Sequence, residues 1–423
     1  MGNLFKQKAL ENNINVHIYP TSKFKTINFY LFVHQELKKE IATKTALLPF
    51  VLKRGSQNFP TQRSMNLFLE NLYGTSTDGD ILKRGEVHVL EFYMETPNPK
   101  FIGEENLIEE GLKVFQDVVQ NPLTEDGGFK KEYVDQEKEI LKRNIESLYN
   151  DKFNYVIERC IQEMCKDEPF SIYKYGSIED LQTIDSNNLY SYYNECITTC
   201  PMDLFILGDI DEDKIEKILK EMFFIQRKDI KKINTEFSEK IVEKPKYVEE
   251  KQDVNQGKLA LGFRTNTKYG DPDYYPLAVY CNILGGGPYS KLFQNVREKE
   301  SLAYYAFSKL EKNKGLMIIS SGIEFSKKDK ALDIIDKQVE DMKKGNISAY
   351  EFDSAVKSLV NAFKEAADSP SAIIQSRLNG IINGVDETTD EIVEKLQKVT
   401  KDDVINVAQK ISLDTIFFLN KIN

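Results

Sequence analysis

Histidine is scarce in this chain of 423 residues, which contains only His17, His34 and His88. No two of them lie within one helical turn of each other, because the gaps are 17 and 54 residues (34 minus 17, and 88 minus 34). Zinc sites commonly take two histidines from a single helical turn. The sequence therefore argues against a histidine-rich metal centre, and each histidine is interpreted as a strand residue.

Long apolar runs and a basic excess are also missing. No uninterrupted apolar stretch approaches the roughly 18 residues of a membrane-spanning helix, and the first residues contain no apolar signal segment. The net charge is −10 and the pI is near 5.2, whereas nucleic acids and anionic membranes bind cationic surfaces. We therefore expect a cytoplasmic protein without a nucleic-acid or membrane partner.

Cysteine usage and nucleophile motifs exclude two further classes. The chain has five cysteines, an odd number that favours reduced thiols over a disulfide framework. Cys196 and Cys200 have helical i,i+4 spacing, but no second pair completes a four-ligand zinc site. The sequence has no Gly-x-Ser-x-Gly motif and no Ser-His-Asp or Cys-His arrangement. It therefore lacks the parts of a serine or cysteine hydrolase.

What is present is an internal repeat. Residues 181–207 run through a loop, a helix and an apolar strand, and residues 396–419 repeat this order about 215 positions later (396 minus 181). A second correspondence joins residues 67–76 to residues 292–305, and each of these is followed by a glycine and an apolar strand. The simplest interpretation is two diverged copies of one domain of about 200 residues.

A polar stretch rich in Lys and Glu separates the copies, and its composition is typical of a linker. We therefore predict a first domain over residues 1–227, a linker over residues 228–250 and a second domain over residues 251–423.

Periodicity predicts the elements of the first copy. Residues 14–18 and 26–33 alternate as strands do, and the turn residues between them predict a β-hairpin. Residues 45–52 have helical spacing, and residues 130–150 form an amphipathic helix. Each copy is predicted to be an antiparallel sheet with helices beside it, which is the α+β class.

One motif is long enough to be specific. Residues 284–304 read LGGGPYSKLFQNVREKESLAY and resemble the second-domain signature of the pitrilysin/insulinase peptidases, the inverzincins. The resemblance implies two homologous α+β domains that form a clamshell around a chamber. It also implies that Arg297 and Tyr304 reach a peptide substrate there. A guanidinium and a phenol both suit this role as donors to peptide carbonyl or carboxylate oxygens.

Active members of that family carry H-x-x-E-H on a helix, where the histidines bind zinc and the glutamate activates water. The turn that follows this motif is legible here at residues 53–56. Counting back from it places the motif on residues 46–50. Ala46 and Phe50 then replace the histidines and Pro49 replaces the base, so the resemblance implies a degenerate zinc site without metal.

The third zinc ligand of the family is a glutamate on a later helix. The resemblance places this position on Asp135, with Glu139 one turn further as the alternative. A lone carboxylate does not make a zinc site. The interpretation favoured by the residues is that Asp135, Glu137 and Glu139 form a solvated helix face.

The family includes heterodimers in which one subunit holds zinc and a zinc-less subunit completes the chamber. The resemblance therefore implies a non-catalytic, substrate-positioning subunit, with zinc in an H-x-x-E-H-bearing partner. The chain looks closest to the zinc-less YmfF-like bacterial branch, whose label connects it to 5-aminopentanol modification of elongation factor P. Two alternatives stay open: a non-proteolytic scaffold or peptide-binding protein, and an active metallopeptidase with relocated ligands.

Overall fold

The computed structural model of the protein describes residues 5–222, 225–234 and 239–422. The chain divides into two compact units. The first unit contains Met1–Glu146, Ile172–Thr235 and Pro370–Leu378, and the second contains Ser147–Ser171, Glu236–Ser369 and Asn379–Asn423. The boundaries expected at residues 227 and 251 remain a prediction about the repeated segments, since packing groups the chain differently.

Thirteen strands are formed by the described residues. They are β1 (Lys6–Ala9), β2 (Ile14–Pro20), β3 (Thr26–Glu36), β4 (Ser76–Arg84), β5 (Val87–Pro97), β6 (Thr124–Glu125), β7 (Gly128–Phe129), β8 (Met202–Gly208), β9 (Lys246–Gln252), β10 (Gly257–Arg264), β11 (Ala303–Glu311), β12 (Leu316–Ile323) and β13 (Ser412–Lys421). β9 begins inside the predicted linker.

The described α-helices are α1 (Lys39–Leu52), α2 (Gln62–Asn71), α3 (Pro99–Ile102), α4 (Leu107–Gln120), α5 (Lys131–Asn150), α6 (Lys152–Met164), α7 (Ile178–Gln182), α8 (Ser186–Thr199), α9 (Glu212–Met222), α10 (Tyr274–Gly285), α11 (Lys328–Lys343), α12 (Ala349–Ala366), α13 (Pro370–Asn383), α14 (Thr389–Lys398) and α15 (Lys401–Ala408). Pro169–Ser171 and Phe325–Lys327 are short 3-10 helices, and Phe293–Lys299 is a π-helix.

The sheet of the first unit has the strand order β1-β2-β8-β3-β5-β4. The pair β2 and β8 is parallel, and the other neighbours are antiparallel. The predicted hairpin is wrong in its pairing, because β8 lies between β2 and β3 and bonds to both. Both predicted strands exist, but a strand that begins 176 residues after the start of β3 (202 minus 26) separates them.

The sheet of the second unit has the order β11-β12-β10-β13-β9, again with one parallel pair, β13 and β9. Strand for strand it repeats β4-β5-β3-β8-β2 of the first unit. The predicted α+β class is confirmed, and the shared connectivity supports the interpretation of two diverged copies.

Alternation along β3 builds the core of the first unit. Ile27, Phe29, Leu31 and Val33 point to one face of the sheet and join a buried apolar cluster. Helices α1, α4 and α8 supply the other side of that cluster. Each fully buried side chain of this size contributes about 1.5–3 kcal/mol relative to an exposed one.

The sheet of the second unit is covered on both faces. Leu259 and Leu261 of β10 pack with α10, whereas Ala260 between them packs with α6. Asp151 begins α6 by accepting a hydrogen bond from the Asn154 backbone N–H at 3.2 Å. α6 approaches β10 so closely that a Cβ at Gly262 would lie 2.7 Å from Met164 Sδ.

The buried carboxylate of Glu168 anchors the chain just after α6. The Glu168 side chain is 8% exposed and binds Arg264 Nη2 at 2.7 Å, Lys240 Nζ at 2.7 Å and Lys314 Nζ at 2.8 Å. Burial alone would raise the pKa of Glu168, but hydrogen bonds from these three cations lower it to about 2. The carboxylate therefore stays ionised and holds three elements of the unit together.

We predict that Glu168→Gln lowers the free energy of unfolding by about 3 kcal/mol at pH 7, because three cations would lose their shared counter-ion. In the wild type the folded-state pKa of Glu168 lies below the ordinary value of 4.5. Its stabilisation is therefore complete above about pH 4.5 and is lost as the pH falls toward 2. Urea unfolding at pH 7 and pH 3 measures both effects.

The matched control is Glu394→Gln, since the Glu394 side chain is 63% exposed and pairs with exposed Lys398. This control should leave stability within about 0.5 kcal/mol of the wild type. Equal stability of Glu168→Gln and Glu394→Gln at pH 7 would contradict the account of Glu168.

Candidate functional site

Arg297 lies in the π-helix Phe293–Lys299, a rare conformation that is often found at functional sites. Its guanidinium carbon lies 4.6 Å from the centre of the Phe293 ring, and its Nε lies 3.6 Å from Glu298 Oε1. The side chain is 44% exposed. Stacking on one ring orients the guanidinium, while its solvent-facing edge keeps N–H donors available to a ligand.

Tyr304 stands at a β-bulge. In the pairing of β11 with β12, Ala303 lies opposite Ile323 and Tyr305 lies opposite Gly322, so Tyr304 is the additional residue. Ser301, just before the strand, has a φ of 48°. Bulges redirect side chains, and the Tyr304 side chain is 75% exposed.

A cavity of about 530 Å³ lies beside Tyr304, and its other lining residues are Asn255, Gln256, Ile323, Glu324, Phe325, Ser326 and Lys421. The resemblance assigned Arg297 and Tyr304 a role with substrate. The structure places both side chains in the second unit, on either side of the turn before β11, and leaves both accessible.

The degenerate zinc-site positions lie on α1. Ala46 is fully buried, Pro49 is buried and Phe50 packs partly buried against the same apolar cluster. Pro49 Cβ approaches Gly79 of β4, where an added Cβ would lie 3.2 Å away. None of these three side chains offers an oxygen, nitrogen or sulfur ligand. The residues present do not fit a zinc ion at this position.

Asp135 lies on the exposed side of α5. Its side chain is 54% exposed and forms an ion pair with Lys131 one turn earlier. Glu139 is also exposed. Within the described parts of the chain, no group of three or more His, Cys, Asp or Glu side chains is arranged to hold a metal ion.

The interpretation of a fully solvated face on α5 is wrong for Glu137. This residue is 4% exposed, and its carboxylate accepts a hydrogen bond from Arg54 Nε. Arg54 is the second residue after α1, so this ion pair ties the end of the degenerate zinc helix to α5. The spacing of charged residues along α5 did not predict this ion pair. Asp135 and Glu139, on either side of Glu137, face solvent, so nothing in the sequence indicated that Glu137 is buried.

Sequence reasoning also missed a buried polar cluster in the first unit. Asp203 on β8 accepts a hydrogen bond from His17 Nε2 of β2 at 2.7 Å through one oxygen. Its other oxygen lies 2.8 Å from His34 Nε2 of β3. Burial would raise the pKa of Asp203, but the two imidazole hydrogen bonds outweigh it, so the pKa of this carboxyl lies below its usual range. Only the unexpected position of β8 brings these residues together.

A second carboxyl on the same sheet has the opposite shift. Glu91 on β5 is 7% exposed, and burial, reinforced by Asp80, raises its pKa to about 7. Gln375 Nε2 donates a hydrogen bond to Glu91 Oε1 at 2.6 Å. A carboxyl with this pKa can hold or release a proton near neutral pH.

We predict that Asp203→Asn lowers the free energy of unfolding by roughly 2 kcal/mol, because one carboxylate then no longer serves two buried imidazoles. Asp329→Asn is the matched control, since the Asp329 side chain is 89% exposed, and it should change stability little. Thermal unfolding of both variants measures the difference. Indistinguishable midpoints would mean that the cluster contributes nothing to stability.

All five cysteines are buried, and none of them forms a disulfide bond. Among the described helices, none has both the length and the apolar character that crossing a bilayer requires.

Comparison with known proteins connects these features to a family. Residues 183–359 match the family described as "Peptidase M16 inactive domain". The Bacillus subtilis protein named "Probable inactive metalloprotease YmfF" is 36% identical over 413 residues, which is 97% of each chain. The "Uncharacterized zinc protease YmxG" of the same organism is 25% identical over 56% of this chain and 57% of its own length.

Among solved structures, a conserved protein from Enterococcus faecalis is 29% identical and superposes with a TM-score of 0.92 over 99% of both chains. The resemblance to the pitrilysin/insulinase peptidases is thus confirmed. The chain belongs to the M16 peptidase family.

Proposed function

We propose that this chain is a non-catalytic, substrate-positioning subunit of a heterodimeric zinc metallopeptidase of the M16 family. A homologous partner that carries H-x-x-E-H supplies the zinc and the general base. The observation that carries the proposal is an asymmetry between the two motif regions. Ala46 and Pro49 are buried and Phe50 packs partly buried against the apolar core, while Arg297 and Tyr304 keep their donors exposed.

The role of the second pair follows from its chemistry. Arg297 offers a permanent charge and a planar fork of N–H donors to a peptide carbonyl or a terminal carboxylate. Tyr304 adds a phenolic O–H that donates to a carbonyl oxygen. Neither group needs to move a proton at neutral pH, so both serve to bind and orient a peptide. The chemical step then belongs to the partner.

The zinc-less state of this chain is part of the same proposal. The motif positions supply no ligand, and the described residues contain no other cluster suited to a metal. We therefore do not propose relocated ligands. The connection to elongation factor P modification and the cytoplasmic location both stay predictions.

The alternative to this proposal is a non-proteolytic scaffold on the same fold. The effect of Arg297 on peptide cleavage distinguishes the two roles. We predict that Arg297→Ala, in the co-purified pair, lowers kcat/KM for peptide cleavage by about 10- to 100-fold, because a charge-assisted bidentate contact is lost. Arg297→Lys keeps the charge but not the fork, and it should recover only part of the activity. Steady-state cleavage of a fluorogenic peptide measures both variants.

Lys398→Ala is the control for the loss of a surface cation, since its side chain is 73% exposed on α14. It should cleave at the wild-type rate. If Arg297→Ala also cleaves at that rate in an intact heterodimer, Arg297 does not position the substrate.

A further inference from the structure

Three aromatic rings of the second unit meet at a surface next to Tyr304. Phe153 of α6 stacks on Phe307 of β11 with ring centres 5.5 Å apart and an interplanar angle of 24°. It also contacts the Tyr305 ring at 5.1 Å. Phe153 is 39% exposed, and the other two rings are half-buried. We call Phe153, Tyr305 and Phe307 the aromatic platform.

The platform is built into the sheet by a glycine. Gly322 of β12 pairs with Tyr305 on one side and with Lys258 of β10 on the other. A Cβ at Gly322 would lie 2.7 Å from the Tyr305 ring and 2.9 Å from Gln256 Oε1. The Tyr305 ring therefore occupies the space that a side chain at position 322 would need. Lys258, Gly322 and Tyr305 form one row across three strands.

The row contains a cation without a counter-ion. Lys258 Nζ lies 5.1 Å from the centre of the Tyr305 ring and donates to Gln256 Oε1 at 2.7 Å. No carboxylate among the described residues forms an ion pair with it. Burial lowers the pKa of Lys258, which means that its charged form is incompletely compensated.

Other donors lie around the platform. The buried Nε2 of Gln256 has no acceptor within the described parts of the chain. Lys152, at the start of α6, lies 3.8 Å from the centre of the Tyr149 ring, which is 51% exposed, and already donates to the Tyr149 carbonyl oxygen at 2.7 Å and to Gln252 Oε1. The surroundings thus combine exposed aromatic area with the Lys258 cation, which has no ion-pair partner among the described residues, and with one unsatisfied amide donor. An anionic group beside a flat apolar group would satisfy both features.

We propose that the aromatic platform is a peptide-binding subsite that takes an aromatic side chain on its rings and a neighbouring carboxylate on Lys258. This inference rests on the proposed function, since it names the substrate class of a positioning subunit: peptides in which an aromatic residue adjoins an acidic one.

Binding of labelled decapeptides to the purified chain, followed by fluorescence anisotropy, tests the subsite. One peptide carries Phe-Glu, a second carries Phe-Gln and a third carries Ser-Glu at the same two positions. The wild type should bind the Phe-Glu peptide about 5- to 10-fold more tightly than either of the others, which is the effect of one charge-assisted contact or one buried ring.

Lys258→Met removes the charge and keeps an unbranched side chain of nearly the same length. It should abolish the preference for Phe-Glu over Phe-Gln and leave the preference for Phe over Ser. Phe153→Ala should abolish the preference for Phe over Ser and leave the preference for Phe-Glu over Phe-Gln. Because Phe153 is partly exposed, this variant is expected to fold. Tyr350→Ala, which removes a 71% exposed ring on α12, should bind as the wild type does.

The platform is overturned if Lys258→Met retains the preference for Phe-Glu over Phe-Gln, or if no peptide binds up to about 1 mM. The two proposals fail separately. Loss of cleavage in Arg297→Ala together with unchanged peptide preferences in Lys258→Met rejects only the platform. The predicted preferences together with unchanged cleavage in Arg297→Ala reject only the role of Arg297.

Discussion

Apolar packing of α1 against the sheet of the first unit is the constraint on which the rest of the protein depends. Ala46, Leu47 and Leu48 are at most 1% exposed, and the two leucines alone contribute about 1.5–3 kcal/mol each to the core. The same contact determines what the unit cannot do. Zinc ligands at these positions would have to be polar groups at the apolar sheet, and such groups are costly unless a metal or hydrogen bonds satisfy them.

At the motif of the second unit, the key side chains are polar and exposed rather than apolar and buried. Arg297 and Tyr304 are presented by a π-helix and a β-bulge, two irregularities that interrupt the regular hydrogen-bond pattern. In a regular helix or strand, the side chains of these two residues would point in the directions set by the repeat of that element. The unit therefore uses local irregularity to display donors, and it relies on buried contacts such as those of Glu168 to hold the surrounding elements in place.

Local patterns in the sequence predicted single elements well. The helix expected over residues 130–150 is α5, Lys131–Asn150, and the apolar strand expected after residues 292–305 is β12, Leu316–Ile323. The motif-based placement of Ala46, Pro49 and Phe50 on a helix is also found in the structure. The helix and strand predictions depend on periodicity and spacing within about twenty residues, which can be read from the sequence. The motif placement depends on the family resemblance.

Contacts between distant residues could not be predicted in the same way. Nothing in the pattern of β2 and β3 indicates that β8 lies between them, and the His17, His34 and Asp203 cluster depends on that insertion. Glu137 follows the same spacing along α5 as its exposed charged neighbours, yet it is buried and forms an ion pair with Arg54. The packing of α6 on the second sheet likewise follows from tertiary contacts with Ala260 and Phe417.

The most direct test of the account is the zinc content of the complex that contains this chain, purified from native extract and resolved into its subunits. The account predicts an H-x-x-E-H homologue in that complex, one zinc ion per heterodimer, and no zinc on this chain when it is isolated. Stoichiometric zinc on the isolated chain, together with chelator-sensitive peptide cleavage by it alone, would contradict the account.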